Sequence, residues 1–363
     1  MIIDKGIRIK NIYYMLSYAF EFIKHTGYSN MDTEEFENIH DLFAAILAQG
    51  MAYQLKKGLY KEYVHKSDNL STVRGKINIT ETIRNKILQR RIINCEFDEL
   101  SENNIYNQII KCTASLLLRH GNVEAKYKSR LKQSLLFFSN VDDIDLKTVK
   151  WGAITFHRNN QNYRILINIC NLLARGLLQT TNNGHTKLAT FIDEQSMCRL
   201  YEKFILEYYK QEHSNTVKSE ALQIPWVLDD DNQNLLPIMQ TDITLTRKGK
   251  NRQDILIIDA KYYRNTLSSN NHSDKLTLHS GNMYQIFTYV KNKDADLLRK
   301  NIQHRVSGML LYAKTEEQIT LDNSYQMSGN NICVKNLDLN QDFSEIRKQL
   351  DQILTDCFDT LTY

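Results

Sequence analysis

Asp242, Asp259 and Lys261 are the side chains of this 363-residue sequence whose types and order could do chemistry together. They sit in the stretch TDITLTRKGKNRQDILIIDAKYY, residues 241–263, where an apolar run ends in Asp-Ala-Lys. Successive side chains of a strand point to opposite faces, so Asp259 and Lys261 project together and Ala260 projects away from them. Two carboxylates side by side in a partly dry site resist joint ionisation unless a cation lies between them. Magnesium takes oxygen ligands and keeps several waters. Asp242, Asp259 and the backbone carbonyl of Ala260 therefore suffice as its protein ligands when a substrate phosphate completes the shell. Lys261 can then orient the activated water or stabilise the charge that develops on the phosphate. Phosphodiester hydrolysis is the reaction this set suits.

Such residues need a rigid sheet to hold them. The run Ile255 to Ile258 has no polar alternation, as expected of a central strand covered on both faces, and the charged pair falls where that strand emerges. The preceding LLPIMQTDITLTR also reads as a strand and KGKNRQ as a turn, so the two should pair as an antiparallel hairpin that brings Asp242 towards Asp259. SMCRLYEKFILEYYK reads as a helix before them. After them come a helix around 282 to 293 with Gln285 and Tyr289 at i, i+4, the strands RVSGMLLYA and NICVKNLDL, and a final helix. This alternation predicts an α/β, or mixed α+β, unit in which helices flank a central mixed sheet.

The first half has a different pattern. Ile12, Met15, Leu16, Ala19 and Ile23 lie on one helical face, DLFAAILAQGMAYQL repeats the spacing, and Ile105, Ile109, Cys112 and Leu116 form a stripe in the next helix. STVRGKINIT, rich in Thr, Val and Ile around a glycine, predicts a short strand or hairpin between helices. A further helical block, NYRILINICNLLARGLLQ, leads into the loop-like TTNNGHTKL. The domain boundary is therefore expected between 180 and 195, separating a mostly helical unit over 1–190 from the mixed unit over 191–363.

Composition narrows the class without naming it. The formal charge is +4, too mild to announce a nucleic-acid protein, although Lys56 to Arg91 holds ten Lys or Arg against three Asp or Glu. That local excess could grip DNA phosphate or an acidic partner surface, or form a solvated basic helix face. The six cysteines are scattered without CxxC or His pairing, which argues for reduced thiols over a zinc site or a disulfide framework. No apolar run approaches the roughly 18 residues that a membrane span needs, and the MIIDKGIRIK start has no signal-peptide pattern, so a soluble cytoplasmic protein without membrane contact is expected. LSSNNHSDKLTLHSGN, residues 267–282, is polar enough for a mobile loop that could act as a flap over DNA, and His272 and His279 within it match no metal-ligand spacing. No GxxxxGK phosphate loop occurs.

The order Thr241-Asp242, Ile258-Asp259-Ala260-Lys261, then Gln285 to Tyr289 resembles the PD-(D/E)xK nuclease core in the variety that carries a Gln-x-x-x-Tyr helix. A narrower resemblance lies in IKNIYYMLSYAF at 9–20, RGKI at 74–77, FDELSENN at 97–104, LYEKF at 200–204, and LLPIMQTDITL with IDAKYY. Together these resemble the McrC family, the nuclease subunits of McrBC-type modification-dependent restriction systems. The resemblance implies a restriction-endonuclease-like domain over 191–363 and a partner-docking domain over 1–190. It implies a magnesium-dependent DNA endonuclease that works with a McrB-like AAA+ GTPase hexamer, stimulates its GTP hydrolysis, and cuts double-stranded DNA whose modified cytosine the partner reads. Asp242 and Asp259 become metal ligands and Lys261 the catalytic lysine. Glu202 in LYEKF is the helix carboxylate that assists the metal, with Glu207 as its competitor, and Gln285 and Tyr289 belong to the site or to DNA backbone contact. The family's proline before the first aspartate is displaced here to Pro237. A non-catalytic adaptor and a nuclease of another defence or repair system are the alternatives, and the intact Asp242, Asp259 and Lys261 set argues against the first of them.

Overall fold

The computed structural model describes every residue except 1–2, 5–6, 21–35, 37, 121, 183–193, 231, 233, 251, 264–266, 271–272, 315–318 and 360–363. Two compact units result: Met1–Leu42 with His185–Tyr363, and Phe43–Gly184. The chain opens with β1 (Ile3–Asp4) paired antiparallel to β2 (Ile7–Arg8), followed by α1 (Ile9–Ala19) and α2 (Ile39–Lys57). Then come β3 (Glu62–Leu70), β4 (Lys76–Ile77), α3 (Ile79–Ile87), β5 (Ile93–Ser101), α4 (Ile105–His120), α5 (Ala125–Leu135) and α6 (Arg164–Asn182).

Within Phe43–Gly184 helices pack beside a three-stranded antiparallel sheet of order β3-β5-β4. Periodicity predicts a mostly helical unit with a short strand or hairpin in STVRGKINIT, and β3 and β5 are additions to it. Only Lys76–Ile77 of STVRGKINIT is strand, and its partner β5 lies beyond α3. In the RGKI motif Gly75 has φ 69°, and a Cβ there would collide with the carbonyl oxygen of Glu96, so glycine is what lets the chain approach β5. The stripe of α4 is also rotated from the expected one. Tyr106, Asn107, Ile109, Ile110, Cys112, Thr113, Ala114 and Leu117 are its buried residues, so Ile109 and Cys112 of the expected stripe are buried, whereas Ile105 is exposed and Leu116 only half-buried. The Tyr106 hydroxyl donates to the Thr155 carbonyl, and its ring packs against Tyr60 and Tyr163, so an aromatic anchor sets the helix rotation.

The other unit continues with α7 (Glu194–Glu212), β6 (Lys218–Glu220), β7 (Gln223–Ile224), β8 (Met239–Gln240), β9 (Ile243–Lys248) and β10 (Gln253–Lys261). After these come β11 (Leu267–Asn270), β12 (Ser273–Leu278), α8 (Ser280–Arg299), β13 (His304–Lys314), β14 (Asp322–Met327), β15 (Asn330–Asp338) and α9 (Phe343–Leu354). Six strands form a mixed sheet in the order β14-β15-β13-β10-β9-β6, parallel from β10 through β13 to β15 and antiparallel elsewhere. The apolar run of β10 is central to it, as its sequence requires. Ile255 and Ile257 meet Ile286, Tyr289 and Val290 of α8 together with Leu310 and Tyr312 of β13 in one buried cluster. The helix lies so close that a Cβ on Gly308 would fall 2.8 Å from Val290 Cγ2 and 2.9 Å from Ile286 Cγ1.

Two expectations change in this unit. Residues 1–42 group with the C-terminal half, not with the helices that follow them. The reason is long-range packing: Tyr18 meets the rings of Phe204 and Tyr208 at 5.8 and 5.4 Å, and Asn11 Nδ2 donates to the carbonyls of Leu339 and Gln341 at 2.8 and 2.7 Å. Most of the polar 267–282 stretch is not a loop: β11 and β12 pair antiparallel, with Leu267 opposite Leu278 and both half-buried against the α8 cluster. His272 lies outside the described residues. All six cysteines are free thiols, and no helix among the described residues is long and apolar enough to cross a membrane.

Candidate active site

Asp242 sits one residue before β9, held by its neighbour. Thr241 is buried, its N–H donates to the Leu222 carbonyl at 2.9 Å, and its hydroxyl accepts the Leu222 N–H at 2.9 Å. With Ile243 opposite Ile258 in the antiparallel ladder, the next position brings Asp242 beside Asp259. Asp242 Oδ2 accepts the Ala260 N–H at 2.9 Å. A strand residue directs its N–H and C=O towards the same neighbour, so the Ala260 carbonyl lies on the Asp242 side, past the last β9 partner at Ile258.

Asp259 is 1% exposed, and Lys261 Nζ lies 2.8 Å from its Oδ2. That contact is close in distance but off the axis of a hydrogen bond, so Oδ2 is a buried acceptor whose lone pairs are not taken by a well-aligned donor. Lys261 Nζ instead donates to Gln285 Oε1 at 3.1 Å, and Gln285 Nε2 donates to the Tyr289 hydroxyl at 3.0 Å. The i, i+4 pair of α8 is thus one chain of hydrogen bonds ending on the lysine.

The electrostatics follow from this crowding. Burial, then the carboxylates of Asp259 and Glu202, push the Asp242 pKa up to about 8 against the opposing pull of the Ala260 N–H and Lys261. Burial also raises Glu202, which Lys261 pulls back down and Asp259 pushes up further. Burial works against the charge on Lys261, but Asp259 and Asp242 outweigh it, and its pKa is raised. The ammonium is therefore fixed, while Asp242 resists ionising beside Asp259 and Glu202.

Six of the residues singled out from sequence meet here: Asp242, Asp259, Ala260, Lys261, Gln285 and, through its field, Glu202. Tyr289 joins at the far end of the relay. Glu207 does not: it is buried and pairs with Lys210 at 2.8 Å. Sequence reasoning missed a second chain. Asn282, three residues before Gln285 on α8, donates to the Tyr312 hydroxyl at 3.0 Å and accepts from Tyr263 at 3.4 Å. Tyr312 is the register partner of Lys261 on β13, so its signal was the strand RVSGMLLYA ending level with IDAK.

Among the described residues no three His, Cys, Asp or Glu side chains form a ready-made metal cage. The donor set nonetheless fits magnesium, which takes few protein oxygens and keeps its waters. Paired carboxylates and the poorly satisfied Asp259 Oδ2 provide such oxygens.

A family model described as McrBC 5-methylcytosine restriction system component matches residues 4–313 of this chain. The Type IV methyl-directed restriction enzyme EcoKMcrBC of Escherichia coli (strain K12) is 26% identical over 347 residues, which span 95% of this chain and 96% of that protein. Among solved structures, a refined half-complex from a tetradecameric assembly of Thermococcus gammatolerans McrB AAA+ hexamers with bound McrC aligns with a TM-score of 0.56 at 18% identity. That alignment covers 95% of this chain and 76% of the other, and the likeness is one of fold.

Proposed function

This chain belongs to the family of McrBC 5-methylcytosine restriction system components, and from that premise we propose that it is the DNA-cutting subunit of such a system. In this reading it hydrolyses phosphodiester bonds of double-stranded DNA with magnesium. It works with a McrB-like AAA+ GTPase hexamer, whose GTP hydrolysis it stimulates and which reads the modified cytosine. The single observation that supports it is the convergence of Asp242, Asp259 and Lys261 at the open end of β9 and β10.

Asp242, Asp259 and the Ala260 carbonyl are the groups that would hold magnesium, with Glu202 beside them. Bound there, the ion supplies an acidified water and a charge clamp on the phosphate. The chain's own contribution is positional and electrostatic. The buried β10 ladder fixes Asp259 and Lys261 on one face, and the Ala260 N–H orients the Asp242 carboxylate. Lys261 stays protonated at neutral pH and offers its ammonium to the negative charge that grows on a phosphate in attack. Gln285 restricts where that ammonium can go.

The test is reconstitution. Purified chain is combined with the GTPase of its own system, magnesium, GTP and DNA with or without 5-methylcytosine. Cleavage that needs the partner, GTP and the methylated base is the expected result. Cutting of unmethylated DNA by the chain alone would instead point to a nuclease of another system.

A further inference from the structure

Asn282 is a buried polar side chain with no part in the cutting chemistry described above. It is 8% exposed and sits in the first turn of α8, where the helix begins to pack Ile286, Tyr289 and Val290 against β10 and β13. Both ends of its amide are bonded: Nδ2 donates to the Tyr312 hydroxyl at 3.0 Å, and Oδ1 accepts from the Tyr263 hydroxyl at 3.4 Å. A buried amide costs free energy unless it has such partners, and once it has them it fixes an orientation, because hydrogen bonds are directional.

Each group in this clamp hangs from a different part of the site. Tyr312 is on β13, level with Lys261 in the parallel ladder. Tyr263 follows Lys261 by two residues as the chain leaves β10. Asn282 itself lies three residues ahead of Gln285, on the same face of α8. One amide thus joins the strand that carries the lysine, the strand beside it and the helix that carries the lysine's acceptor. Other contacts of α8 do less. The Gln285–Tyr289 bond lies within the helix, so it cannot set how the helix is turned on the sheet. Ile286 and Val290 press close to Gly308 and set the distance between helix and sheet, but apolar contacts have little direction. Turning matters because side-chain tips lie about 5 to 6 Å from a helix axis, so a rotation of about 10° moves the Gln285 amide by about 1 Å. A shift of that size breaks the 3.1 Å hydrogen bond from Lys261 Nζ to Gln285 Oε1.

We infer that Asn282 is a positioning residue of the cutting centre: by holding α8 to the hydroxyls of Tyr312 and Tyr263, it fixes the rotation at which Gln285 meets Lys261. The inference rests on the reading of this site as a DNA-cutting centre, in which Asn282 acts only through Gln285.

The experiment measures cleavage of methylated DNA over a range of DNA concentrations, with magnesium, GTP and the GTPase of the same system. The chains compared are wild type, Asn282→Ala, Tyr312→Phe, Gln285→Ala, and Gln285→Ala combined with each of the first two changes, all assayed below their own melting transitions. Tyr312→Phe keeps its ring in the core, so it carries the test if Asn282→Ala does not fold. Asn282→Ala and Tyr312→Phe should each cut about tenfold more slowly at saturating DNA, with an unchanged KM for DNA and unchanged stimulation of GTP hydrolysis. In the Gln285→Ala background either change should cost less than about twofold, because the route through Gln285 is already gone. A metal-free crystal structure of either single variant should show Gln285 moved off Lys261. Wild-type rates in the single variants overturn the inference. So does a loss that multiplies with that of Gln285→Ala, as a merely structural role would give, or a variant structure in which the bond between Lys261 and Gln285 persists. A wild-type chain that does not cut under these conditions overturns instead the reading of the site beneath it.

Discussion

The carboxylate of Asp242 accepts the backbone N–H of Ala260 at 2.9 Å, which ties the start of β9 to the end of β10. The tie also places Asp242 among other carboxylates, and burial with Asp259 and Glu202 holds its pKa near 8. In the absence of metal Asp242 is therefore mostly protonated at pH 7.

Metal binding should consequently release a proton. Affinity for magnesium or manganese rises with pH up to about 8, by about tenfold per unit, and then levels. Titration calorimetry in buffers of different ionisation enthalpy measures both the release and the slope, and a pH-independent affinity between about 6 and 8 would contradict the assignment.

The same shift has a sign for stability. A carboxyl whose folded pKa is raised from 3.8 to about 8 contributes stability that is fully present below the lower value and lost as pH rises through the higher. The metal-free chain should thus become less stable across that window, and Asp242→Asn should flatten the slope in urea melts.

Gln285 links Lys261 to Tyr289. Gln285→Ala should slow DNA cleavage about 10- to 100-fold, as loss of a supporting hydrogen bond in a reactive site does, with GTP hydrolysis by the partner unchanged. Tyr289→Phe, one bond further out, should cost less. Equal losses of cleavage and GTPase stimulation would mean that α8 serves the partner and not the lysine.

Much of this was legible in sequence because it is local. The unbroken apolar run of β10 predicts a central strand, and the short turn after β9 predicts its antiparallel neighbour. The i, i+4 spacing of Gln285 and Tyr289 puts them on one helix face. Other parts had no local signal. EYVHKSDNL forms edge strand β3, exposed along most of its length, so it carries no apolar alternation. DNSYQM forms β14 at the other sheet's edge for the same reason. Among the described residues, Leu267 and Leu278 anchor the polar hairpin of β11 and β12 to the core, at its ends. The choice between Glu202 and Glu207 depends on how α7 is rotated, which spacing alone left open.

The placement of α1 is of that long-range kind. Asn11→Ala removes the donor to two carbonyls near the C-terminal helix. It should lower the stability of the C-terminal unit by about 1 to 3 kcal/mol, and a fragment covering 191–363 without residues 1–42 should fail to give a cooperative melt. A fragment that melts as sharply as the full chain would show that α1 is dispensable there.

The most direct measurement follows DNA cleavage and GTP hydrolysis in the same tube, for the wild-type chain and for Asp259→Ala, with the GTPase partner, magnesium and methylated DNA. Cleavage should vanish in the variant while partner-stimulated GTP hydrolysis continues at the wild-type rate. Undiminished cleavage by Asp259→Ala would contradict the assignment of Asp242, Asp259 and Lys261 as the cutting centre.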